Sequence, residues 1–215
     1  MPELTIDTEV RALLSVATID AENIRSGAAL PALTAEIAQL GATLAAEYRG
    51  RAPSEIAGLA PARRLYRAFG IDPTSTRPSS EALVRRILQS KPFPSINAAV
   101  DLCNLCSVAF LLPIGLYDAG KISPPVVLRR GREGESYAGI RKDAVSLAGR
   151  PVLVDAVGPF GNPTSDSLRT SVDFETTSIW MVIFAPSDYP EAALISHESF
   201  AREAVSRHLR PPAAS

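Results

Sequence analysis

Apolar residues along this chain fall into three kinds of pattern. Leu30, Leu33, Ile37, Leu40, Leu44 and Tyr48 step by three and four, the period of one helical face, and predict an amphipathic helix ending near Gly50. Residues 13–19 (LLSVATI), 151–157 (PVLVDAV) and 177–184 (TSIWMVIF) are short apolar runs rich in β-branched residues. These predict strands, the last apolar enough to lie at the centre of a sheet. The third pattern lies between Ser95 and Leu112, where nearly every residue is apolar but Asn97, Asp101, Asn104 and Ser107 recur at spacings of four, three and three. That spacing aligns the four on one face of an otherwise apolar helix. Such a helix is buried, and buried amides and carboxylates require partners, so the stripe is expected to form the wall of a pocket or the clamp of a loop.

The remaining segments are read from their punctuation. Residues 54–70 predict a turn and then a helix that Pro61 can begin, carrying Leu65, Tyr66 and Phe69 inward. After IDPTSTRPSS, a serine cap with Glu81 in the first turn predicts a further helix, with Leu83, Val84, Ile87 and Leu88 inward. Pro113 and Gly115 stop the striped helix before a turn, LYDAGK. Residues 126–129 and 136–140 flank the glycine-punctuated GREGE and suggest strands around a hairpin or tight loop. Residues 158–170 (GPFGNPTSDSLRT) form a polar loop of a length that in compact domains is usually functional or disordered. Residues 199–210 close the chain as a helix, with 211–215 expected to fray.

Composition narrows the class. With 215 residues, 46% apolar and 21% charged, the chain is expected to be one soluble globular domain, 1–215, with a helical N-terminal part over 1–91. A net charge of −1 excludes a global cationic field, so any RNA contact must be local. The arginine pairs at 63/64, 85/86 and 129/130, with Arg132, Arg141 and Lys142, either converge on such a contact or are solvated faces of amphipathic elements. The N-terminus lacks a signal-peptide pattern, and the most apolar stretch spans 18 residues with an Asp and two Asn, where a membrane span needs roughly 20 apolar residues. No membrane association and a cytoplasmic location are expected. Cys103 and Cys106 form a C-x-x-C in mid-helix apolar sequence, which argues for packing rather than redox or zinc chemistry. His197 and His208 have no metal-site spacing and are expected at the surface. Neither metal nor cofactor is expected. Asp118, Asp155 and Asp166 are candidates for a general base, or for turn caps.

With the stripe and the long loop both in view, the chain resembles a known family. PSINAAVDLCNLCSVAFLLPIGLYDAGKI is similar to the segment of the phenylalanyl-tRNA synthetase β subunit that reads nnvVDvtNyv…PlhafD, in its combined third and fourth, editing domains. Val100, Asp101, Asn104, Pro113 and Asp118 fall on that pattern. Further on, Asp155, Gly158, Gly161, Ser167, Thr176 and Thr177 match the same domain's second half. The resemblance covers residues 92–186. It implies an α+β fold of layered sheet and helix, with a pocket that takes an aminoacylated tRNA end and lets water hydrolyse the ester.

On that resemblance Asn104 positions the substrate and Asp101 clamps neighbouring backbone. Asp166 stands in for the acid of the family's Gly-Gly-x-Glu-Ser loop, so Asn104 and Asp166 are the expected catalytic pair. Asn97, Asp101, Asn104, Gly115, Asp155, Asn162, Ser167, Thr176 and Thr177 are the expected substrate-binding set. Gly115 stands where the family pattern has His, which leaves the amino acid open. The expected function is a freestanding editing-type hydrolase that deacylates mischarged aminoacyl-tRNA in trans and does not charge tRNA. The alternatives are a non-catalytic RNA-binding module and a binder of a free amino acid or modified nucleoside.

Overall fold

The computed structural model of the protein describes residues 3–140 and 142–210. The expected frayed tail and Arg141 lie outside the described residues. In chain order the elements are β1 (Leu4–Ile6), α1 (Thr8–Arg11), β2 (Leu14–Glu22), α2 (Pro31–Glu47), α3 (Ala60–Ala68), α4 (Ser79–Leu88), α5 (Ala98–Phe110), β3 (Ile114–Asp118), β4 (Val126–Arg130), β5 (Ser136–Gly139), β6 (Lys142–Ser146), β7 (Pro151–Val154), β8 (Pro159–Gly161), β9 (Ser178–Pro186) and α6 (Glu191–His208).

The organising strand is β9, and its composition explains why. Ile179, Met181, Ile183 and Ala185 point to one face and Trp180, Val182 and Phe184 to the other, and all seven are buried. A strand apolar on both faces is stable only between two covering layers. It pairs antiparallel with β2 over nine residues and with β3 over five, giving the order β2-β9-β3. Its odd-numbered face packs on α5, α6 and α2 through Leu102, Cys106, Leu33 and Val205. Its even-numbered face packs on a second sheet, β1-β4-β7-β8, through Val126, Leu128, Leu153 and Phe160, with Leu65, Tyr66 and Phe69 at the end of α3 closing that layer. The protein is therefore an α+β domain of three layers: helices, a three-stranded sheet and a four-stranded sheet. Burying an aromatic such as Trp180 or Phe184 contributes roughly 1.5–3 kcal/mol, so this strand anchors both cores.

Several elements differ from their sequence expectations for identifiable reasons. LYDAGK is not a turn throughout: residues 114–118 form β3, and only Ala119–Lys121 turn, with Asp118 Oδ1 accepting the Gly120 N–H at 3.0 Å. The segment after GREGE does not fold back on β4. Instead β5 pairs with β6, while β4 lies between β1, in parallel, and β7. The N-terminal part is not only helical, because β2 supplies one of the two neighbours of β9. Helix α4 has Pro78 as its N-cap and no side-chain cap; Glu81 binds Arg63 instead, with both contacts at 2.7 Å. Helix α6 starts at Glu191, eight residues before the expected 199.

Candidate functional site

Helix α5 is capped by Asn97, whose side chain accepts the Val100 N–H at 2.9 Å. It ends at Leu111, held at φ 57° ahead of Pro113. Within it the four stripe residues have separate partners. Asp101 accepts from Ser95 Oγ at 2.7 Å and from the Ile96 N–H at 2.9 Å, which ties the entry loop to the first turn. Ser107 donates to the Leu112 carbonyl at 2.8 Å and fixes the exit. Asn104 alone makes no side-chain hydrogen bond with the described residues. It is half-buried and faces a cavity of about 220 Å³.

That cavity lies between α5, the start of α4, the β3 edge and the long loop. Val100, Cys103, Asn104 and Ser107 line it from α5, spaced as one helical face, and Ile114 and Leu116 line it from β3. Ser79, Ile140 and Val172 contribute from three other segments, and Asp166 supplies a carboxyl. Residues 158–177 position that acid by covering the outer edge of β3. The Asp118 N–H donates to the Thr170 carbonyl at 2.9 Å, and the Ile140 N–H to the Asp166 carbonyl at 3.2 Å. Asp166 Oδ2 accepts the Leu116 N–H at 3.4 Å, while its Oδ1 is buried without a hydrogen-bond partner among the described residues. Burial pushes the Asp166 carboxyl up to about 7, against the smaller opposing effects of the Tyr117 hydroxyl and the Leu116 N–H. Burial thus favours the neutral acid here more than at an ordinary aspartate.

The structure thus brings Asn104 and Asp166 to one cavity. Of the other expected substrate contacts, Asp155, Asn162, Ser167 and Thr176 use their side chains to hold the loops. Asp155 pairs with Arg169 at 2.9 Å and accepts the N–H groups of Ser123, Val157 and Gly158. Burial raises its carboxyl, but these donors together hold it below the ordinary aspartate value. Asn162 accepts from Thr164 N and Ser165 N and donates to Tyr137 Oη. Ser167 pairs with Thr170 at 3.2 Å, and Thr176 donates to Asp118 Oδ2 at 2.7 Å. Thr177 is exposed, and its carbonyl accepts the Ile24 N–H. Gly115 sits on the face of β3 opposite Ile114 and Leu116, toward the second sheet. Of the cavity lining, the apolar wall from β3, Ile140 and Val172 is absent from the sequence expectations; the alternation of Ile114 and Leu116 is the signal that points to it.

Other candidates resolve into packing and ion pairs. Cys103 and Cys106 are free and buried, and burial pushes the Cys106 thiol up to about 12 and raises Cys103 as well. The histidines are not surface residues as expected. His197 stacks on Phe110 at 4.3 Å and contacts Tyr189 Oη, and His208 is 2.7 Å from Glu36 Oε2. Among the arginine pairs, Arg63 is bound to Glu81, Arg64 to Asp188 and Arg129 to Glu135, while Arg130 lies over the Phe69 ring. Among the described residues no group of three or more His, Cys, Asp or Glu side chains is placed to hold a metal. Within them no helix is long and apolar enough to cross a membrane.

Three layers with an acid-bearing cavity at the edge of the middle sheet define the class as a layered α+β domain with an internal pocket. The chain belongs to the B3/4 domain family, which it matches over residues 61–209. It is similar to the phenylalanine–tRNA ligase β subunit of Neisseria meningitidis serogroup B, with 29% identity over 84 residues, or 39% of this chain and 11% of that protein. Its fold is similar to that of an N-terminal fragment of the phenylalanyl-tRNA synthetase β subunit from Pyrococcus horikoshii. There the TM-score is 0.51 at 13% identity, covering 95% of this chain and 48% of that one. The chain thus spans about half of the archaeal fragment and a small part of the bacterial subunit.

Proposed function

We propose that the protein binds the acceptor end of an aminoacyl-tRNA and hydrolyses the ester of a misattached amino acid in trans, without charging tRNA itself. The observation that carries this reading is the Asp166 carboxyl. It is half-buried with one oxygen enclosed and unpartnered among the described residues, and it lies in the same cavity as the Asn104 amide, which makes no side-chain hydrogen bond with them. The names of the two relatives supply the substrate class.

In this reading the apolar wall of Val100, Cys103, Ile114, Leu116, Ile140 and Val172 surrounds the amino-acid side chain. Asp166, ionised in part of the population near neutral pH, accepts a proton from a water molecule as its oxygen bonds to the ester carbon. Asn104 Nδ2 donates to the carbonyl oxygen as negative charge develops there. The first turn of α4, which begins at Ser79 on the cavity wall, presents the positive end of its dipole to the same charge. Collapse of the intermediate breaks the bond to the ribose oxygen, which leaves with the proton from Asp166. The products are free amino acid and uncharged tRNA.

Deacylation measured over a full panel of aminoacyl-tRNAs tests the proposal. At least one ester is expected to be cleaved, with Asn104→Ala and Asp166→Asn each slowing release by about 10²-fold or more while the fold is retained. No release from any aminoacyl-tRNA at saturating protein would overturn it. A second reading, a pocket for a free amino acid, is favoured by the compensation of Arg63, Arg64 and Arg129 within the fold, which leaves less charge for phosphates. An increase in melting temperature with a free amino acid, and none with tRNA, would support it.

A further inference from the structure

Tyr117 is a fully buried phenol whose hydroxyl has no hydrogen-bond partner among the described residues. Its ring is fixed on every side. Phe160 meets it edge-on with centroids 5.1 Å apart, and Trp180 is tilted against it at 6.0 Å. Gly115 and Gly161 lie beside its outer end, where a Cβ on either glycine would come within 2.6 Å and 2.5 Å of the ring Cζ. Backbone on both sides thus lacks side chains where the hydroxyl has to pass. The neighbouring polar group is Asp166, whose Oδ1 is also buried and unpartnered.

The other titratable groups that act on this acid or feel its charge are otherwise engaged or weak donors. Tyr137, from β5, donates to the Ser165 carbonyl and accepts from Asn162 at 2.8 Å. Tyr66, from α3, donates to the Pro163 carbonyl at 2.7 Å. Cys103, from α5, carries a buried thiol, a weak donor. Among these titratable groups Tyr117 carries the uncommitted hydroxyl.

We propose that Tyr117 is a positioning residue for Asp166, its hydroxyl donating to Oδ1 from the inter-sheet side so that the carboxyl is held at the cavity in a fixed orientation. This rests on the reading of Asp166 as the acid–base group of the hydrolysis. The inference also gives Gly115 a physical reason: a side chain there would occupy the path of the phenol. A donor to a carboxylate stabilises its ionised form, so removing it raises the titration midpoint.

The test is the titration of Asp166 by carbon NMR of aspartate side-chain carboxyls, assigned with Asp166→Asn. In Tyr117→Phe the midpoint is expected to rise by about one pH unit. Installing 3-fluorotyrosine at position 117, a stronger donor in the same ring position, is expected to lower it. This second arm keeps the inference testable if Tyr117→Phe does not fold. Where hydrolysis is measured, the ascending limb of the pH–rate profile moves with the midpoint and KM stays within about twofold, a pattern loss of packing would not produce. An Asp166 midpoint equal to wild type in both arms overturns the positioning role. Absence of hydrolysis by the wild type overturns the proposed function, while the NMR titration still decides the coupling.

Discussion

Asp101 shows how a charged side chain can lie inside a helix layer without an opposite charge. Its two oxygens accept from Ser95 Oγ and the Ile96 N–H, so the carboxylate replaces the water it has lost and fixes the segment entering α5. Asp101→Ala removes both acceptors and releases the Ser95 hydroxyl and the Ile96 N–H that the carboxylate holds. We expect a loss of about 1–3 kcal/mol in urea denaturation, whereas a stability equal to wild type would show that the segment is held by other contacts. Asn104, one turn further on, has the same helical environment and no such partners, and on the proposed function its alanine variant should fold normally and fail in hydrolysis. The two substitutions therefore separate holding the helix from using the cavity.

At the scale of elements, α3 and α4 are joined by an ion pair more enclosed than most. Glu81 is 1% exposed and receives two bonds of 2.7 Å from Arg63, with Arg77 at 3.6 Å. Glu81→Gln leaves a partly buried guanidinium without its counter-charge, and we expect a loss of about 3 kcal/mol in the same measurement. A change below about 0.5 kcal/mol would show that the tie adds nothing, as for exposed pairs. The sequence showed β9 and α2 because burial on two faces, or on one face with a 3.6 period, leaves a continuous pattern. It concealed β6, where Val145 is the buried residue of 143–146, and the start of α6, where Leu194 is the buried residue of EAALISHE. Asn104 was legible from its helical spacing; Asp166 stood as one of three candidate bases, and only the family resemblance singled it out, because nothing local marks which acid lines a cavity. The cavity as a whole was not legible, since its walls come from five segments and proximity in space leaves no local pattern.

At the scale of the whole molecule, Asp166 couples stability to pH. Its carboxyl is raised to about 7 by burial, whereas in the unfolded chain an aspartate titrates near 4. Between about pH 4 and pH 7 the unfolded chain releases a proton that the native chain retains, so this group's contribution to stability falls as pH rises through that window and is level above it. The loss is on the order of 4 kcal/mol. Asp166→Asn should remove this part of the pH dependence, leaving the variant more stable relative to wild type at pH 8 than at pH 4 in paired denaturation curves. Parallel curves for the two proteins across that range would show that the carboxyl is not perturbed in the native state.

The family segment, 61–209, contains α5, β3, the long loop and β9, and with them the whole lining of the cavity. It does not contain β2, which pairs with β9 along nine residues, nor β1, which covers one side of β4. The inherited unit and the cooperative unit are thus different lengths of chain. The cavity is carried by the first, but β9, which pairs with the β3 strand of its wall, acquires both of its neighbours only in the second. A boundary drawn by kinship would leave an open row of backbone donors and acceptors along the most apolar strand of the molecule, an invitation to pairing between copies.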